Sequence, residues 1–390
     1  MTAPGDRMDG PGSLAGASVD RGPIDLLDGG TPDPVGLTEP DIRLMTTVLV
    51  GAWRRSPPPL EISAEALQRV TVGLLRSKTG ALGWWRVRHT PLRTSAAGIR
   101  LRHAYHRHSL QAALHGRSLT RVVTRLRSRG VEPVLMKGPA IARLYAERGL
   151  RPFDDLDLCV RPDQYDTALA MLRGFTGGLT PVDLHRGFRR LYARSWEELH
   201  CRSQLVTLGG IEVRVLSPED HLRVLCLHQL NHGTPSPLWL CDVGVALESR
   251  SADFDWDRAL GPDRRRADWV ACTIGLAHQL LEVPIDDTPV AGRAKRLPGW
   301  LAPSVIRQWA RHSAADYHGP HRFAPAWHFL VQAPEILWHY WPSPVAATIR
   351  LHVPFNNLPR VPIQAVDAFG RLIRFCVRRI LGLRPDGELT

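Results

Sequence analysis

Three aspartates stand close together in the stretch RPFDDLDLCV, Arg151 to Val160: Asp154, Asp155 and Asp157. The apolar residues among them, Phe153, Leu156, Leu158 and Val160, follow the pattern of a buried β-strand. Side chains two apart on a strand share a face, so Asp155 and Asp157 are expected to converge and Asp154 to point away. Two like charges about 4 Å apart repel by about 4 kcal/mol at an effective dielectric of about 20. Such a pair persists if it shares a proton or if a cation sits between the carboxylates. Mg²⁺ fits the second case, because it binds few carboxylates, keeps waters and takes its other ligands from phosphates.

A second chemical unit precedes the acids. VEPVLM (131–136) reads as a short strand, and KGPAIARLYAERG follows it at once. Gly138 permits a tight turn, Pro139 suits a first helical position, and Gly149 is placed to end the helix. A glycine turn that opens a helix offers free N–H groups to an anion, and Lys137 adds a mobile point charge suited to phosphate. Strand, Lys-Gly turn, helix and acidic strand thus bring an anion binder and a metal binder within about twenty residues. Either one alone is commonplace; their order is what carries information.

The surrounding elements follow from periodicity. Residues 39–77 alternate at helical spacing, a looser stretch with Gly80, Gly83 and Pro91 comes next, and 93–129 reads as one long helix stopped by Gly130. Residues 161–175 predict a helix and 179–185 another short strand. Gly209-Gly210 joins two β runs as a hairpin. Ser217 caps a helix with Pro218 at its first position, and helical patterning continues to about 315, with Trp256 and Trp269 as packing residues. The last stretch is aromatic and irregular, and it ends in a basic amphipathic helix over 363–380. Such a helix can lie on a membrane or on RNA, although packing on the protein's own core is the commoner role.

The chain has 390 residues, 44% of them hydrophobic, and a net charge of +12. Nearly all the positive charge is arginine, since the only lysines are Lys78, Lys137 and Lys295. Arginine in place of lysine is usually a coding bias, yet the excess permits a polyanionic partner such as a nucleotide or RNA. Every long apolar run is broken by charge or proline, and the N-terminus lacks a secretory pattern, so a cytoplasmic protein is expected. The Gly- and Pro-rich residues 1–38 predict a disordered tail. The six cysteines stand among apolar residues without CxxC spacing, as reduced core thiols do. His103, His106 and His108 have no accompanying carboxylate and read as exposed helix histidines. His228 and His232 lie four apart with Asp242 downstream, but no Glu follows the first, which excludes a zincin motif and leaves helix packing.

With these residues in view, VLMKGPAIARLYAERGLRPFDDLDLCVRP resembles the bacterial family called uncharacterised nucleotidyltransferases, within the polymerase-β-like superfamily, and also the toxin-type nucleotidyltransferases. The resemblance extends through VDLHRG (182–187) and VLSPEDHLRVLCLHQLNHGTPSPLWLCDVGVAL, covering about 100–260, with Tyr145, Arg151 and Pro152 in matching places. It implies an α+β fold, a polymerase-β-like core with a small mixed sheet and helices over about 131–216. Helical regions at 39–130 and 217–390 would embed that core.

The same resemblance implies transfer of a nucleoside monophosphate from an NTP, ATP among them, to a hydroxyl acceptor with release of pyrophosphate. Asp155 and Asp157 would hold two Mg²⁺ ions, with Asp183 of VDLH as the third carboxylate and Glu212, then Glu198, as fallbacks. Lys137 and Gly138 would cradle the triphosphate, and Arg151 would support the acids or the nucleotide. The acceptor is left open between RNA such as a tRNA end and a protein, peptide or small molecule. The alternative is a catalytically inactive nucleotidyltransferase fold that binds or regulates.

Overall fold

The computed structural model describes residues 36–175, 180–188, 194–314 and 341–380. The expected N-terminal tail, apart from its last three residues, and the aromatic stretch holding Trp327, Phe329, Trp338 and Tyr340 lie outside the described residues.

Four helices come first: α1 (Glu39–Leu49), α2 (Ala64–Arg76), α3 (Gly80–Val87) and α4 (Ala96–Arg127). Thr38 and Asp41 form a reciprocal cap on α1, while Ser63 and Ser95 cap α2 and α4 through side-chain oxygens. The glycine-bearing stretch expected to be loose is helical as α3. Gly80 and Gly83 lack side chains where α3 presses on Leu74, Leu75 and Leu101, so the glycines serve close packing.

A five-stranded mixed sheet follows: β1 (Val134–Leu135), β2 (Leu156–Val160), β3 (Val182–Arg186), β4 (Gln204–Leu208) and β5 (Ile211–Val215). Its order is β3-β2-β1-β5-β4. The β1–β5 and β2–β3 pairs are parallel, and β1–β2 and β4–β5 are antiparallel. Gly209 and Gly210 both take positive φ, 61° and 86°, in the hairpin turn, as predicted.

One sheet face packs Leu156, Leu158 and Val160 of β2 against Leu119, Val122, Val123 and Leu126 of α4. On the other, Cys159 joins Val134, Met136, Leu199, Leu216 and Val224 in a smaller cluster. That second face is the one Asp157 shares, by alternation along β2.

The helix expected after the Lys-Gly turn is one turn long, α5 (Pro139–Ala142). Beyond it the chain bends back, and the Ala146 amide donates to the Trp53 carbonyl. Gly149 is no helix stop; it lies in a 3₁₀ turn (Arg148–Leu150) pressed on Ser109 of α4, where a side chain would collide. Past the short α6 (Tyr165–Leu172) and α7 (Trp196–Arg202), helix α8 (Pro218–Asn231) is buried nearly all round. It packs with α9 (Pro237–Glu248) and α10 (Arg264–Leu281), and their apolar residues join those of α1–α4 in one continuous core.

The C-terminal helix Val361–Ile380 is oriented against expectation. Its polar Gln364 and Asp367 are buried, the latter on Arg350 at 2.8 Å, while Val366, Phe369, Leu372 and Ile373 face outward. No helix among the described residues is long and apolar enough to cross a membrane.

Candidate active site

Strand β2 begins at Leu156, two residues later than the acids require for all three to sit on it. Asp154 and Asp155 therefore occupy the exposed approach to the strand, and Asp157 alone is built into it, 3% exposed. Asp154 turns away to an ion pair with Lys78, in keeping with its expected direction.

Strands β2 and β3 are parallel with Asp157 in register with Asp183 and Cys159 with His185. In-register residues share a face, so both members of the Asp183–His185 pair point to the side that Asp157 occupies. His185 Nε2 lies 3.1 Å from Asp183 Oδ2 and 3.4 Å from Asp157 Oδ1. Ligand atoms of Asp157, Asp183 and His185 all lie within 4.8 Å of one another. Asp155 stands outside that tight group, near enough for its charge to interact with Asp157 and Asp183.

The Lys-Gly turn closes the arrangement. Lys137 Nζ is 2.6 Å from Asp157 Oδ1. Gly138 holds φ 50°, and a side-chain carbon there would come within 3.3 Å of the Asp155 carbonyl oxygen. A glycine is thus required both by the backbone conformation and by the contact with the acidic approach. The short length of α5 removes most of the helix-dipole contribution expected at this turn, so Lys137 and the turn's own amides are what could meet an anion.

The charges are mutually adjusted. Burial alone would raise the Asp157 pKa, but the His185 hydrogen bond and the Lys137 ammonium hold it below the usual carboxylate range. Burial would lower His185, yet Asp157 and Asp183 raise it to about 9. Asp155 is pushed up by burial and by repulsion from Asp157, with partial relief from Lys137. The cluster at neutral pH is an ionised Asp157 held between a lysine and an imidazolium. The carboxylate oxygens of Asp157 and Asp183 suit a hard divalent ion whose remaining ligands are water and phosphate, while the protonated His185 ring donates to them rather than to a metal.

Arg151 is placed elsewhere. Its guanidinium donates to both carboxylate oxygens of Asp242, at 3.1 and 2.7 Å, and to the Pro152 carbonyl at 3.1 Å. Tyr145 donates to Asp242 as well, at 2.8 Å. Burial opposes the Arg151 charge and Asp242 more than restores it, raising the pKa above the ordinary arginine value. Arg151 therefore ties the acidic segment to α9, and its field reaches Asp157 without contact.

Glu212 is exposed on β5, separated from β2 by β1, and Glu198 pairs with Arg258 at 2.7 Å. The His228 and His232 rings lie 4.5 Å apart at a tilt and both pack on Trp239, which is the helix-packing role. His103 and His106 are exposed, but His108 is buried, and that burial lowers its pKa to about 4. Of the cysteines, 159, 226, 241 and 272 are buried free thiols, Cys201 is exposed, and the Cys376 side chain lies outside the described residues.

His185 was not singled out by sequence reasoning. The signal was present, because Asp183 and His185 have the same two-residue spacing used to pair Asp155 with Asp157.

A family model described as an uncharacterised nucleotidyltransferase matches residues 86–281, a span that contains all five strands and the Lys-Gly turn. No curated protein and no solved structure matches the chain.

Proposed function

The chain belongs to the uncharacterised nucleotidyltransferase family, and from that premise we propose that it is a Mg²⁺-dependent enzyme moving a nucleoside monophosphate from an NTP to a hydroxyl acceptor. The observation that carries this is the pairing of Asp157 with Asp183 on parallel strands beside Lys137. Asp155, Asp157 and Asp183 would hold the metal, with His185 at the edge of the same gap. Divalent ions bound there would neutralise phosphate charge and favour in-line displacement at phosphorus.

The chain's own groups have separable tasks. Lys137 would turn from Asp157 to the triphosphate, and a divalent ion held by the aspartates would supply the counter-charge in its place. Gly138 lets the turn's backbone approach the phosphates. Asp183, the more exposed partner, faces the acceptor and takes its hydroxyl proton. The acceptor oxygen then bonds to the α-phosphorus, the bond from that phosphorus to the bridging oxygen breaks, and pyrophosphate leaves. Arg151 acts by holding the acidic segment on α9.

A second reading has its own support. Lys137 and His185 already neutralise Asp157, so the cluster can exist as a purely structural one on an inactive binding fold. Incubation with labelled NTPs, Mg²⁺ and either total RNA or protein lysate separates the two. Mg²⁺-dependent label on any acceptor supports the enzyme, and absence of transfer together with absence of NTP binding supports the inactive fold.

A further inference from the structure

From Ala66 to Val131 the chain contains thirteen arginines and Lys78 but no aspartate or glutamate. This stretch alone carries more than the whole net charge of +12. Coding bias explains arginine in place of lysine; it does not remove carboxylates from 66 consecutive residues while leaving them in the rest of the chain. The stretch folds as most of α2 with α3 and α4, so the excess charge is presented by one group of adjoining helices.

Within it lies an open pocket of about 410 Å³ lined by Trp84, Arg88, Arg93, Thr94, Arg102 and His106. Arg88 is fixed in place, with its guanidinium 3.3 Å above the Trp85 ring and donating to the Trp85 carbonyl. Arg93 and Arg102 are exposed and make no ion pair among the described residues. Arg102 donates to His106 at 3.2 Å and stands 6.0 Å from the ring of half-buried Trp84. Cations without carboxylate partners, gathered round an indole in a concave site, match the requirements of nucleic acid, with phosphates on the guanidiniums and a base on the ring.

The same helix also touches the acidic segment, from another of its faces. Further along α4, Gln111 donates to the Phe153 carbonyl at 3.4 Å and the His115 ring packs 4.8 Å from that of Phe153. Lys78, between α2 and α3, pairs with Asp154. At about 1.5 Å of rise per residue, Arg102 precedes Gln111 by about 14 Å along the helix. The basic helices therefore buttress the very segment that bears Asp155.

We propose that α3 and the first half of α4 bind single-stranded RNA. This binding surface stands independently of the function proposed above.

The test is fluorescence anisotropy with a labelled single-stranded oligoribonucleotide and the full chain, between about 50 and 200 mM salt, comparing wild type with Arg93→Gln/Arg102→Gln. Both side chains are exposed, and a melting curve confirms that the variant is folded. Two lost phosphate contacts reduce the slope of log affinity against log salt by about 1.4, at about 0.7 each. An unchanged slope and affinity overturns the proposal. So does displacement of the RNA by polyglutamate as readily as by unlabelled RNA, or a variant that loses binding only to phosphatidylserine vesicles. Calorimetry with Mg²⁺ and NTP runs alongside. NTP binding without RNA binding overturns the RNA surface and leaves the proposed enzyme standing. RNA binding that depends on these arginines, with no NTP binding, supports the surface and overturns the enzyme.

Discussion

Lys137 Nζ sits 2.6 Å from Asp157 Oδ1, so the turn before β2 supplies the counter-charge for the acid most deeply set in the sheet. A cation must neutralise Asp157 in every state, because an uncompensated buried carboxylate is costly. Removing the lysine in Lys137→Met should lower the stability of the metal-free protein by about 1–3 kcal/mol. Mg²⁺ should recover part of that loss, since the ion takes the same place. Denaturant titration with and without Mg²⁺ measures both quantities.

Asp155 bears the opposite sign of strain. Its pKa is raised by burial and by Asp157, so its charge is disfavoured in the fold. Asp155→Asn should abolish nucleotidyl transfer while leaving the melting temperature unchanged or a few degrees higher. A fall in melting temperature would mean that the carboxylate has a structural partner.

His185 gives the site a pH dependence. Its pKa is raised from 6.5 to about 9. A raised histidine stabilises fully below its unfolded value, and that contribution is lost as pH rises through the folded one. Metal-free wild type should therefore lose stability between about pH 7 and 9.5, on the order of 1–2 kcal/mol after solvent screening, whereas His185→Gln should show a flatter profile. Asp157, with its lowered pKa, acts at the other end: its contribution is present above the unfolded value of 3.8 and disappears as pH falls through the folded one. Thermal melts across both ranges check the two signs.

Arg151 and Asp242 form a buried two-point ion pair. Asp242→Asn leaves the guanidinium uncompensated and should cost about 3–5 kcal/mol. Affinity of the folded protein for Mg²⁺ and NTP, measured at low temperature, should stay within about twofold. A much larger loss of affinity would give Arg151 a direct contact with nucleotide.

The parts of this fold that were legible in the sequence are those governed by local rules. Ser217 with Pro218 and Gly209-Gly210 each satisfy backbone requirements within a few residues. The acidic segment was found because carboxylates in an apolar run violate the burial rule. What was misread depended on distant contacts. Gly149 looked like a helix stop and is a packing notch for α4; Arg151 looked available to nucleotide and is taken by Asp242, 91 residues away. The register that joins Asp157 to Asp183 is a property of the paired strands, and neither strand alone announces it. The outward apolar face of the C-terminal helix was likewise hidden, since periodicity gives a stripe without saying which way it turns.

The most direct measurement is a crystal structure of the chain with Mg²⁺ and a non-hydrolysable nucleoside triphosphate. The expected result is metal ligated by Asp157 and Asp183, with Lys137 turned from Asp157 onto phosphate. If Lys137 and His185 remain on Asp157 and no nucleotide reaches the acids, the cluster is structural and the proposed enzyme is contradicted.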